Sequence, residues 1–205
     1  MNYTLTNLED NIKKLYLLLE ITKPSEIDIW QFAHYFDIWI EFEESKSELV
    51  ETQKGLFTIC LDKRNSYQNQ WQDFAHEFGH VIRHVGKQHK LRSYFRDFQE
   101  FQANNFMYHF CVPTFMLFEY NVSNYLDIEN GAKFVSTTFN VTEEFAKKRM
   151  ILFRDKLLQA KLDDEHRKYM ESRYPKAPPY SPETNNIVKR ALELKANNER
   201  KKQHA

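Results

Sequence analysis

The sequence predicts an α+β fold: a small sheet in the first third of the chain, then mainly helices. Three observations predict it. Only 4 Gly and 6 Pro in 205 residues leave little material for the many tight turns of an all-β protein. Two runs with strand character, 38–42 and 55–61, follow one another. Most of the remaining chain places its apolar residues at helical spacing. Hydrophobic residues make up 41% of the chain, including 17 Phe and 11 Tyr, so the core is built largely from aromatic rings.

The elements follow in order. Residues 7–21 read as an amphipathic helix carrying Leu8, Ile12, Leu15, Leu18 and Leu19 near one face. Pro24 suits the start of a second helix through Ile27, Trp30, Phe32, Ala33 and Phe36. The two strand runs come next, and the polar stretch 43–54 between them reads as a loop or hairpin end. Trp71, Phe74, Ala75, Phe78, Val81, Ile82 and Val85 define a helix from about 70 to 84, broken by the polar segment 86–90. A second long helix runs from Ser93 to Phe110 and is closed by Pro113. Helices continue over 114–120, 127–138 and 142–170, with Gly131 and Asn140 as weak points.

The character changes at Tyr174. Pro175, Pro178, Pro179 and Pro182 read as an extended linker, followed by a frayed terminus or a short amphipathic helix over 187–202. The expected organisation is a core over 1–120, a helical subdomain over 121–172, and a linker with its tail over 173–205.

Lys+Arg and Asp+Glu are 29 each, so no global charge draws the chain to nucleic acid or an acidic membrane. Cys60 and Cys111 lie inside apolar runs and are expected as buried thiols rather than a disulfide. The N-terminal residues show no signal-peptide pattern, and no window has the length of apolar residues that spans a bilayer. A cytoplasmic protein with no membrane partner is the expectation.

Chemistry concentrates in His76-Glu77-Phe78-Gly79-His80, the pattern H-E-x-x-H. Residues four apart on a helix share a face, so both imidazoles can turn to one metal ion. Glu77, beside them but offset, can act as a general base toward water whose pKa zinc lowers to about 7. Catalytic zinc takes three protein ligands, and Glu100 on the next helix offers the third. Asn104, one turn further, is placed to hydrogen-bond a ligand imidazole from behind. His84, one turn after His80, competes for the third position, with His89 and Asp97 weaker candidates. His84, Tyr108 and His109 are candidates for the substrate side, although His109 reads more readily as a packed or capping residue. Two imidazoles and a carboxylate also accept Mn2+ or Fe2+.

The segment from Phe74 to His84 resembles the active-site helix of ImmA/IrrE-type metallopeptidases. Glu100-Phe101-Gln102-Ala103-Asn104-Asn105-Phe106 resembles that family's third-ligand motif, and Phe110-Cys111-Val112-Pro113 its apolar, proline-closed ending. Met107 stands where the family usually has Ala, a packing change. The resemblance covers roughly residues 5–155. It implies a zincin-like, gluzincin-type core with one Zn2+ held by His76, His80 and Glu100 and with Glu77 as base. It further implies cleavage of a helix-turn-helix repressor, an anti-repressor role in a prophage or mobile element.

Residues 135–144 have a helix-turn-helix cadence that could touch DNA or the repressor, although Lys147, Lys148 and Arg149 are the only basic cluster there. Direct DNA contact is therefore not favoured. The alternative to an enzyme is a zinc-stabilised binding protein that sequesters a repressor without cleaving it.

Overall fold

The structure is a computed structural model that describes residues 3–53, 55–83, 93–120, 127–174 and 178–203. Helix α1 (Asn7–Leu18) starts with a capping box. The Thr6 hydroxyl accepts the Glu9 N–H, and the Glu9 carboxylate accepts the Thr6 N–H at 2.8 Å. Its face of Ile12 and Tyr16 is buried. The helix expected from Pro24 is interrupted. Residues Pro24–Glu26 form one 3-10 turn, and α2 (Ile29–Tyr35) begins anew where the Asp28 carboxylate accepts the Trp30 N–H at 3.1 Å. A capping Asp favours a fresh start over continuation.

Three strands follow: β1 (Ile38–Glu43), β2 (Glu48–Gln53) and β3 (Leu56–Asp62), in the order β1-β3-β2. The central β3 runs parallel to β1 and antiparallel to β2. Strand β2 lies inside the stretch expected as a loop. It is a polar edge strand in which Leu49, opposite Ile59, is the residue that packs on the core, so its alternation is weak. Gly55, at φ 85°, takes the left-handed conformation that the turn into β3 demands. Ile59 and Leu61 face the core, whereas Thr58, Cys60 and Asp62 lie on the opposite face of the sheet.

Helix α3 (Tyr67–Arg83) packs on β3 and α4 (Ser93–Cys111) through an aromatic core. The Phe78 ring lies 5.2–6.0 Å from those of Phe32, Phe36, Phe74, Phe106 and Phe110. Each buried ring of this kind stabilises the fold by roughly 1.5–3 kcal/mol. Pro113 ends α4 as expected and leads into α5 (Thr114–Glu119).

Helices α6 (Ile128–Phe139) and α7 (Glu143–Arg173) are joined through Asn140, which caps α6 in the left-handed conformation. Ala132, Val135, Phe139, Phe145, Met150 and Phe153 bury into the same core as α1–α5. The helix-turn-helix cadence thus corresponds to a real pair of helices, and their apolar faces are used in packing.

The chain divides into two compact units, one up to Lys161 and a second over Leu162–Ala205. The second contains the end of α7 and α8 (Pro182–Gln203). Pro182, read as linker, is the first residue of α8, where its missing N–H has no intrahelical partner to lose. The resulting 22-residue helix is longer than the short one expected. Cys60 and Cys111 are buried free thiols. Among the described residues no helix is long and apolar enough to cross a membrane.

Candidate metal centre

His76 and His80 turn their Nε2 atoms toward each other at 3.2 Å, with the rings in an edge-to-face arrangement. Glu100 reaches across from α4. Its Oε2 lies 3.2 Å from His76 Nε2 and its Oε1 3.6 Å from His80 Nε2. His80 is 3% exposed, and the other two are half-buried.

A tetrahedral zinc with bonds of about 2.0–2.1 Å places its ligand atoms roughly 3.3–3.4 Å apart. The three observed separations fall on either side of that value. The donor set also fits a cation on chemical grounds, since it turns two imidazole nitrogens and a carboxylate inward on one another. These are the residues that would hold a metal.

Gly79 makes the closeness of α3 and α4 possible. A β-carbon there would meet the Phe106 ring at 3.0 Å and the Ala103 backbone at 3.4 Å. The small residue inside H-E-x-x-H thus lets α4 approach far enough for Glu100 to reach the histidines.

Glu77 sits beside the three in a half-buried position. Burial, then the charges of Glu100 and Asp73, push its pKa up to about 8, with Lys46 opposing. This gathering of carboxylates around two imidazoles is a field that a divalent cation would relieve. Asp73, one turn before Glu77, accepts hydrogen bonds from the Ser47 hydroxyl at 2.7 Å and the Asn65 amide at 3.2 Å. The Ser47 oxygen in turn accepts the Asp62 N–H at 3.0 Å. The helix is thereby tied to the residue that leads into β2 and, through it, to the end of β3.

The other expected residues lie elsewhere. Asn104 donates its side-chain N–H to the Glu100 carbonyl at 2.8 Å, bracing its own helix rather than a ligand imidazole. A carbonyl four residues back on the same helix is the nearer acceptor. Tyr108 packs its ring against Phe145 at 4.6 Å. His109 is buried, with Nδ1 3.6 Å from Glu9 Oε1. Asp97 is exposed on α4, and His84 and His89 lie outside the described residues.

His109 belongs to a buried polar network that sequence reading missed. Glu9 accepts hydrogen bonds from Thr114 at 2.6 Å and Tyr3 at 2.7 Å. Arg149, fully buried, donates to the Thr114 hydroxyl at 2.7 Å and the Val112 carbonyl at 3.0 Å. Burial drives His109 down to about 3, with the charge of Arg149 acting in the same sense and Glu9 against it, so the imidazole is neutral near pH 7. The only advance signal is the spacing Thr6-x-x-Glu9, which marks a helix start and says nothing of a buried anion.

Residues 33–150 match the IrrE N-terminal-like domain family, peptidase M78. The phage-like element PBSX protein XkdA of Bacillus subtilis is 42% identical over 149 residues, 73% of this chain and 74% of that protein. The protein YqaB of the same organism is 40% identical over 162 residues, 78% of this chain and 91% of its own length. A solved Mycobacterium tuberculosis transcriptional regulator aligns at 11% identity with a TM-score of 0.49. The alignment covers 69% of this chain and 46% of that one. The extent of the family match and the identity to these relatives bear out the resemblance read from the motifs: the chain belongs to the IrrE N-terminal-like family of M78 peptidases.

Proposed function

We propose that the protein is a zincin-like endopeptidase that cleaves a helix-turn-helix transcriptional repressor and so acts as an anti-repressor in a mobile element. The observation that carries this reading is the convergence of His76, His80 and Glu100 at zinc-ligand separations with Glu77 beside them. The likeness to a phage-like element protein supports the setting.

Zinc held there supplies Lewis acidity, polarising the scissile carbonyl and making water acidic near neutrality. Glu77 removes a proton from the attacking water, whose oxygen adds to the carbonyl carbon. The same carboxyl then delivers the proton to the leaving amide nitrogen as the C–N bond breaks. His76, His80 and Glu100 orient the centre, and the ties from Asp73 to Ser47 keep α3 fixed against the sheet while this occurs.

The test compares wild type with Glu77→Gln. Zinc-loaded wild type, incubated with the helix-turn-helix repressor that co-purifies with the Glu77→Gln chain, should yield two discrete fragments. The variant should bind the repressor and leave it intact. Relief of repression by the variant equal to that by wild type would instead mark a sequestering protein.

A further inference from the structure

We infer that the outer face of the sheet holds a second divalent-cation site, built from the carboxylates of Glu41 and Glu43 and the thiolate of Cys60, for a thiophilic ion of the zinc class. The β1–β3 pairing sets Glu41 directly opposite Cys60, and Glu43, two residues on, shares that face. Their ligand atoms and the Cys60 sulfur all lie within 4.8 Å of one another. On the other flank the β2–β3 pairing places Glu48 opposite the same cysteine. The two strands that flank β3 therefore place three carboxylates on the face that carries the sulfur.

Two independent observations single out this cluster from ordinary surface acids. First, Cys60 is 7% exposed, its neighbours Ile59 and Leu61 point to the core, and its side chain is directed the other way, among the carboxylates. Its sulfur has no hydrogen-bond partner among the described residues. Second, neighbouring acids are neutralised and these are not. Asp62 pairs with Arg64 at 2.7 Å and Glu44 with Lys63 at 2.9 Å. Among the described residues neither Lys nor Arg side chains lie within ion-pair distance of Glu41, Glu43 or Glu48, and the carboxylate of Glu43 receives only the Ser45 hydroxyl at 3.3 Å. Like charges adjacent on a sheet destabilise it, and a bound cation removes that repulsion.

The geometry asks for a small closure. Bonds of about 2.3 Å to sulfur and 2.0–2.2 Å to oxygen imply sulfur–oxygen separations of roughly 3.6 Å. Glu41 and Glu43 are exposed and can move that far by changing rotamer. A thiolate in the donor set selects zinc, cobalt or cadmium over magnesium or calcium. On binding, the Cys60 S–H loses its proton to solvent and the sulfur donates its electron pair to the ion.

Cobalt(II) is the probe, because a thiolate ligand gives it a near-ultraviolet charge-transfer band that imidazole and carboxylate do not. Titration of the full chain should produce that band. It should survive His80→Ala, which removes a ligand of the histidine centre, and vanish in Cys60→Ser. The double variant Glu41→Gln/Glu43→Gln keeps the thiol and alters only exposed side chains. It should weaken cobalt binding at this band by about tenfold or more. Circular dichroism checks that each variant is folded. A folded wild type without the band, a band that persists in Cys60→Ser, or a double variant that binds as wild type does would each overturn the assignment.

Discussion

Gly79 of α3 faces the ring of Phe106 on α4 so closely that a single added β-carbon would lie 3.0 Å from it. Phe106 has little room to yield, since it is 3% exposed and stacks on Phe110 with ring centroids 5.1 Å apart. The separation of these two helices sets the separation of Glu100 from the two histidines, so a packing contact in the core governs the spacing of the three candidate ligands.

Gly79→Ala is the direct test of that coupling. Alanine favours the helix by up to about 1 kcal/mol over glycine, and overpacking costs about 1–3 kcal/mol. The chain should still fold, with stability reduced by roughly 0–2 kcal/mol, but hold zinc more weakly than wild type in a competition titration against a chelator. Unchanged zinc affinity would detach the Gly79–Phe106 contact from the site.

Removing metal should lower thermal stability through the same residues. Zinc at a hundredfold excess over its dissociation constant stabilises a folded chain by about 2.7 kcal/mol, which corresponds to a Tm shift on the order of 5–10 °C. Chelator added to wild type should produce such a fall, and chelator added to His76→Ala should not. The experiment is best run with Cys60→Ser in both chains, so that only the histidine centre responds.

The buried network gives a pH dependence whose sign follows from His109. Its folded pKa is pushed down to about 3, whereas an unfolded histidine titrates near 6.5. Between those values the unfolded chain binds a proton that the folded chain refuses, so the contribution of His109 to stability falls as pH drops below about 6.5. Burial alone would raise Glu9, but hydrogen bonds from Thr114, the Thr6 backbone and Tyr3 hold it below the usual carboxylate value. Its contribution is lost in the same direction at lower pH. Glu77, pushed up to about 8, acts in the opposite sense over this range, so the test is run in a Glu77→Gln background. There, urea unfolding at pH 7.5 and 5.5 should show the loss, and adding His109→Gln should flatten it. Equal stability of the Glu77→Gln chain at the two values would contradict the neutral, buried imidazole.

Arg149→Ala should be among the most damaging substitutions outside the site. The guanidinium is fully buried and joins α7 to the start of α5 through Val112 and Thr114, whose hydroxyl also donates to Glu9. Its loss leaves the Glu9 carboxylate buried without a nearby cation, which destabilises by about 3–5 kcal/mol. Arg149→Lys should recover little, because one ammonium cannot reproduce the forked contact. Denaturant unfolding measures both.

Much of the centre was legible because its chemistry depends on local spacing. His76 and His80 share a helical face by sequence separation alone, and Glu100 comes to them through the next helix, whose start at Ser93 and stop before Pro113 can be read from the chain. Other features depend on long-range pairing. Strand β2 has one core residue, Leu49, and forms because β3 offers it an open edge. His109 reads as a packed or capping residue that could also lie close to the substrate, and it is buried. Its actual partners, Glu9 and Arg149, lie 100 residues before it and 40 after it. Asn104 was assigned to an imidazole by helical phase, yet the Glu100 carbonyl one turn back is closer. Burial also decides what periodicity cannot. The α6–α7 pair has the cadence of a DNA-reading unit, and Val135, Phe139, Phe145 and Met150 pack one face of it into the core, while Phe134, Ile151 and Leu152 stay exposed.

The central claim is that His76, His80 and Glu100 hold zinc for Glu77 to work beside. Zinc content by elemental analysis, measured in a Cys60→Ser background so that the sheet site cannot contribute, tests it most directly. The account predicts near-stoichiometric zinc that is retained in Glu77→Gln and His84→Ala and lost in His80→Ala and Glu100→Ala. A folded chain that takes up no zinc, or one that keeps it when Glu100 is removed, would contradict it.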